Sequence, residues 1–270
     1  MTMRTLMLTM LAAGYLALTA GCREETPVPV YGLIWSDEFE GPAGQLPSSG
    51  KWIFDTGTDW GNNQLEWDTD LPTNVSLDGQ GNLAITARRE EFSGQSYTSG
   101  RIKTKGLFER RYGRFEARIK LPVGQGIWPA FWMLGNDIDG VHWPNCGEID
   151  IMEYRGQEPQ ILHGSVHGPG YSGDGALTKT HVLGQGGFTF SFHEFAVEWS
   201  PQGIIWFIDG YAYHTVTSID LPAGTNWVFD HPFFLLLNLA VGGDWVGPPD
   251  ITTEFPQTML VDYVRVYGEK

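Results

Sequence analysis

Residues 114–121, RFEARIKL, alternate without a lapse. Phe115, Ala117, Ile119 and Leu121 fall on one side, and Arg114, Glu116, Arg118 and Lys120 on the other. A two-residue period marks a strand with one buried face. The pattern recurs: Leu83, Ile85 and Ala87 share a side in NLAITARRE, and Phe195, Val197 and Trp199 do so further on. LIWSDEF (33–39) and MLVDYVRVY (259–267) read as further strands. FFLLLNLAV, residues 233–241, is apolar almost throughout, as a strand covered on both faces would be. In IIWFIDGYAYHTV, Asp209-Gly210 separates two strand-like flanks, a strong hairpin signal. No helical period is sustained beyond the first two dozen residues. Many short strands and frequent turns predict two stacked antiparallel sheets, an all-β sandwich over 32–270 with one concave sheet. No repeat or low-complexity block divides that stretch, so it reads as one domain.

The first 22 residues read as a signal peptide. Arg4 supplies the positive start, and the apolar run at 6–20 is too short to span a bilayer convincingly. Small residues before Cys22 resemble a bacterial lipobox, although Leu18 stands one place early and Thr19 takes its usual position. The expectation is export, either secreted or as a lipoprotein whose only membrane attachment is a lipid on Cys22. Residues 23–31 read as a polar, Pro-containing linker. The other cysteine, Cys146, reads as a small buried residue. A net charge of −15 argues against nucleic acid as a partner, because the phosphate backbone would be repelled. A neutral substrate is compatible with it.

The chemistry concentrates in CGEIDIMEYRG, residues 146–156. On a strand, Glu148 and Asp150 share a face. The next in phase is Met152, and the third acid comes one residue late, at Glu153. A one-residue bulge at Ile151–Met152 would restore the phase and gather all three acids on one face. Three crowded acids repel one another and stabilise no fold, so they read as chemistry. A pair of carboxylates, one ionised and one protonated, is the equipment for breaking a glycosidic bond. Crowding serves that end, because one charge raises its neighbour's pKa. On a straight strand, five residues would separate the two Glu backbones by about 16 Å. Retaining hydrolysis needs the carboxyl groups roughly 5–5.5 Å apart, so the bulge and the sheet's curvature are both required.

GEIDIMEYRG resembles the active-site signature of glycoside hydrolase family sixteen. WSDEF, GNNQLEW (61–67), SGRIKTKGLF (99–108), YGRFEARIKLP (112–122), GIWPAFWML (126–134) and MLVDYVRVY match in order, so the resemblance spans 32–270. The inserted Met152 resembles the bulged, laminarinase-type branch. The resemblance implies a β-jelly roll and retaining endo-hydrolysis of β-1,3-glucan, with mixed β-1,3-1,4 chains left open. It implies Glu148 as nucleophile, Glu153 as general acid/base and Asp150 assisting. It requires no cofactor for catalysis.

His167 resembles the family's histidine near the acid side of the cleft. His163 shares its phase but receives no role. Trp128 and Trp132, evenly spaced, fit a platform on which a pyranose stacks. Trp143 and Trp245, in Gly/Pro-containing loops, fit the cleft rim. Asn63 and Arg101 match family positions that hydrogen-bond sugar hydroxyls, with an ion pair to an acid as the alternative for Arg101. The resemblance further implies a structural calcium, held by Glu40, the Gly81 carbonyl and Asp262. Asn74-Val75-Ser76 matches a glycosylation acceptor and reads as accidental. A monomer is expected. Two competing readings are a non-catalytic glucan-recognition protein and a hydrolase of sulfated galactans. The intact acids oppose the first, and the acidic balance opposes the second.

Overall fold

The computed structural model describes residues 31–269. The leader, Cys22 and residues 23–30 of the linker lie outside the described residues. Tyr31, read as linker, instead opens the first strand and pairs with Glu269.

The strands run β1 (Tyr31–Asp37), β2 (Ile53–Asp55), β3 (Glu66–Asp68), β4 (Val75–Leu77), β5 (Leu83–Ala87), β6 (Tyr97–Ser99), β7 (Arg101–Lys103), β8 (Gly113–Lys120) and β9 (Ile127–Gly135). They continue as β10 (Glu148–Tyr154), β11 (Ile161–His167), β12 (Leu177–Val182), β13 (His193–Ser200), β14 (Gly203–Ile208), β15 (Tyr211–Val216), β16 (Phe233–Val241) and β17 (Gln257–Glu269). A back sheet has the order β15-β14-β13-β8-β17-β5-β4, with β1 also on β17. A front sheet has the order β12-β11-β10-β9-β16-β7-β2, and β3 pairs with β6 in a small parallel ribbon.

The alternation in β8 does what its period demands. Phe115, Ala117 and Ile119 are fully buried between the sheets. Glu116, on the other face, is nonetheless buried, because Arg114 donates to it at 2.7 Å and the Tyr267 hydroxyl at 3.1 Å. The Asp209-Gly210 turn has positive φ at both residues (48° and 77°), the backbone of a two-residue type I′ hairpin.

Strand β16 is buried along all nine residues. Phe233, Leu235, Leu237, Leu239 and Val241 enter the inter-sheet core. Phe234 and Leu236 pack in a separate cluster with Leu134 and Cys146, and Ala240 in another with Trp128 and Val246. Thus β16 lines the floor of the front sheet's outer face as well as the core. Burying each large apolar side chain contributes roughly 1.5–3 kcal/mol, so this floor is a stiff support for what stands on it.

Candidate active site

The bulge is present where the sequence requires it. Asp150 pairs with Ser165 and Glu153 with His163, so Ile151 and Met152 together face Gly164 alone. On the other side, Asp150 pairs with Trp132 and Met152 with Phe131, which leaves Ile151 extra. Ile151 and Met152 are both buried in the inter-sheet core. Two consecutive apolar side chains turned inward shift the strand's phase by one, which puts Glu148, Asp150 and Glu153 on the same outer face.

Each acid has a partner there. The Trp143 indole donates to Glu148 Oε2 at 2.9 Å, and the Trp128 indole donates to Glu153 Oε1 at 3.1 Å. His167 lies opposite Glu148 in register, with Nε2 at 3.1 Å from Asp150 Oδ2 and 3.7 Å from Glu148 Oε1. The histidine therefore stands at the Glu148 end of the trio. The Gly173 N–H donates to His167 Nδ1 at 3.1 Å, so the neutral ring carries its proton on Nε2. A divalent ion drawn to Glu148, Asp150 and His167 would have to displace that proton.

Burial raises all three acids. Glu148 is pushed up to about 8, by desolvation first and the Asp150 charge second. Glu153 is pushed up to about 7, again chiefly by desolvation, while His167 pulls it down and Glu148 pushes it up. Asp150, the most buried, is held well above the usual carboxylate range by desolvation and by Glu153. Burial thus favours a neutral Asp150, which does not repel a charge on Glu148. One indole N–H serves each Glu, and His167 Nε2 stands nearer Asp150 than Glu148.

Trp132 and Arg101 form a second patch across β9, β16 and β7. The Trp132 indole donates to Asn238 at 2.8 Å, and the Arg101 guanidinium lies 4.9 Å over the Trp132 ring and 5.0 Å over Trp60. Arg101 donates to Asp55 at 3.1 Å, so its acid partner is none of the central three. Trp245 packs on Trp128 at 5.1 Å and presents an edge contact to His163 at 4.9 Å, with Arg155 over its ring. Asn63 is exposed and donates to both Asp244 carboxylate oxygens at 3.0 Å, tying its loop to the one carrying Trp245.

Sequence reasoning missed Trp60, Asp55 and Asn238. Asn238 had a signal, as the lone polar residue of FFLLLNLAV. Asp55 and Trp60 had none, because β2 and the loop after it carry no pattern of their own. Two further acids, Glu66 and Asp68, are buried beside this patch, and desolvation pushes Glu66 up to about 7.

Cys146 is buried and its thiol is pushed up to about 11 by desolvation, which leaves it inert. Asn74 is buried and hydrogen-bonded to Thr69, Thr86 and Thr98, so it offers no amide to a glycan. Glu40 Oε1 lies 3.8 Å from where a Cβ on Gly81 would stand, and Asp262 follows the Val261–Leu83 pair. Glu40 thus lies beside Gly81, and Asp262 sits one residue past the strand pair that Gly81 precedes, where Arg118 donates to its Oδ2 at 2.5 Å. Oxygen donors of this kind suit calcium.

A two-sheet sandwich that carries paired, burial-raised carboxylates on its outer face, flanked by indoles, defines a glycoside hydrolase. Residues 58–265 match the family described as glycosyl hydrolases family 16, and the chain belongs to that family. A beta-glucanase of Rhodothermus marinus is 40% identical over 263 residues, covering 92% of this chain and 88% of that one. The catalytic domain of an endo-1,3-beta-glucanase (laminarinase) from Thermotoga petrophila superposes with a TM-score of 0.85 at 46% identity, covering 90% of this chain and all of that one. An endo-beta-1,3-glucanase from Pyrococcus furiosus gives 0.84 at 48% identity, covering 89% and 95%.

Proposed function

We propose that this enzyme is a retaining endo-hydrolase of β-1,3-glucan working by double displacement. Glu148 attacks the anomeric carbon as the glycosidic bond breaks, and Glu153 gives its proton to the departing oxygen. A covalent glycosyl-Glu148 ester results. Glu153, now ionised, takes a proton from water, and the water oxygen displaces Glu148 to release a β-configured sugar. Asp150 holds a proton between the two Glu, Trp143 directs its N–H at Glu148, His167 stands against Asp150, and Trp128 orients Glu153. Trp132, Arg101, Trp245 and Asn63 supply stacking and hydrogen-bonding groups to the rest of the chain of sugars.

The observation that carries this reading is the bulge, which returns Glu153 to the face of Glu148. The products from laminarin, lichenan and carrageenan, side by side, test it. Laminarin should yield oligosaccharides whose new reducing ends appear first as the β-anomer by proton NMR. Initial α-anomer would overturn retention. Release from carrageenan alone would overturn the polymer. Release from lichenan as well would extend the specificity to mixed linkages.

We further propose that Glu40, the Gly81 carbonyl and Asp262 hold a calcium ion remote from the acids. The support is the closeness of Glu40 to Gly81, the register of Asp262 beside the same strand, and an all-oxygen donor set. At saturating calcium, binding to the fold alone stabilises by about 3 kcal/mol at a hundredfold excess over Kd, or roughly 5–10 °C in Tm for a domain of this size. Calorimetry with calcium and with a chelator should show that difference in the wild type and lose it in Asp262→Ala. An equal Tm in the two buffers would reject the site.

A further inference from the structure

The bulge has a brace behind it. Among the side chains of β14 that face the core, Trp206 is fully buried, and its indole donates to the Asp150 carbonyl at 2.8 Å. That carbonyl opens the two-residue excess of β10. The bulge therefore turns it toward the opposite sheet, and the back sheet supplies the donor. A buried carbonyl left without a donor costs about 1–3 kcal/mol, enough to favour another local path for the chain.

Two neighbours fit this contact. Gly164, the single residue facing Ile151 and Met152, allows the indole to come close. A Cβ on Gly164 would lie 2.6 Å from Trp206 Cδ1 and 2.9 Å from Nε1. Gly164 does not have the left-handed backbone that would by itself demand glycine, so space is what the position provides. On the far side, His214 lies against Trp206 with ring centres 4.6 Å apart. The strand pair β14–β15 is itself irregular between Trp206 and Phe207, so Tyr213 is extra there, and its hydroxyl also reaches Gly164. Irregularities in opposite sheets thus meet at one glycine.

We propose that Trp206 is a positioning residue for the acid/base: by holding the Asp150 carbonyl through the space left by Gly164, it fixes the bulge that aims Glu153 at the leaving oxygen. The proposal rests on Glu153 being the acid/base. Trp206 touches no substrate and acts only through the backbone of β10.

The test is Trp206→Phe, which removes the N–H and keeps most of the aromatic body. It is measured on laminarin and on 2,4-dinitrophenyl β-laminaribioside, whose phenolate departs without a proton. A displacement of about 1 Å costs up to about a hundredfold in rate. We expect kcat on laminarin to fall ten- to a hundredfold with KM changed less than threefold, while release of dinitrophenolate in the pre-steady-state burst falls less than threefold. Equal losses on the two substrates would mean that the indole merely supports the fold, and undiminished laminarin turnover would mean that the bond positions nothing. Either result overturns the proposal. Gly164→Ala, one methyl pressed on both the Tyr213 hydroxyl and the indole, should reproduce the split, and decides the matter where the Phe variant fails to fold. Glu153→Ala, run in parallel, separates the two ideas. If it shows no leaving-group dependence, the acid/base assignment itself is wrong. If it does and the brace variants do not, only the brace is wrong.

Discussion

Glu148→Gln should reduce laminarin turnover on the order of 10⁴-fold or more, the scale seen when a covalent nucleophile is removed, while leaving glucan binding intact. The amide preserves the shape and still accepts from Trp143, so the indole at 2.9 Å keeps its partner. It cannot form the ester to the anomeric carbon. Reducing-sugar release measures the loss, and turnover within tenfold of wild type would reject the assignment. The same variant carries a stability signature. The Glu148 carboxyl titrates near 4.5 in the unfolded chain and is pushed up to about 8 in the fold by burial and by Asp150. Below pH 4.5 both states are protonated and the group is neutral to stability. As pH rises toward 8 the unfolded chain releases the proton that the fold retains, so folding stability declines across that window. Gln has no proton to lose. The variant should therefore melt at the same temperature as wild type at pH 4 and higher at pH 8, by a margin on the order of 4 kcal/mol.

The same acids mark the boundary between what the sequence discloses and what it withholds. The strand pairs with one buried face were legible because Phe115, Ala117 and Ile119 have no alternative to burial once the period is two. The bulge was legible for a related reason. Met152 breaks the acidic phase, and only an inward turn of both Ile151 and Met152 accommodates two adjacent apolar residues. What could not be read is pairing between distant segments. Arg101 finds Asp55, 46 residues away, and Trp206 finds the Asp150 carbonyl from the other sheet, 56 residues on. No local pattern announces such partners. A tryptophan at an inward position of a strand has the same sequence signature whether or not its N–H reaches a catalytic strand. His167 shows an intermediate case: its motif flagged it, but the antiparallel register of β10 and β11 decided that it faces Glu148.

Glu153→Ala should separate the two halves of the reaction. On laminarin, where the departing oxygen is a poor leaving group, loss of the proton donor should reduce kcat by about 10²- to 10⁴-fold. On 2,4-dinitrophenyl β-laminaribioside the first step should proceed nearly unhindered, and the glycosyl-Glu148 ester should then accumulate, because no base remains to activate water. Azide needs no base. Entering the space left by the side chain, it should attack the ester, restore steady-state turnover and leave a β-glycosyl azide. Azide attacking in place of a missing nucleophile would come from the opposite side and give the α-product, so the anomer identifies which carboxylate has been removed. The pH profile supplies an independent reading. In the wild type Glu153 must be protonated for the first step, and burial holds its carboxyl near about 7. Wild-type activity should therefore fall as pH rises through that value, and the alanine variant, with no such proton to lose, should show no alkaline limb there on the dinitrophenyl substrate. An α-glycosyl azide, or an alkaline limb that survives the substitution, would move the acid/base role to another residue, with Asp150 next in reach.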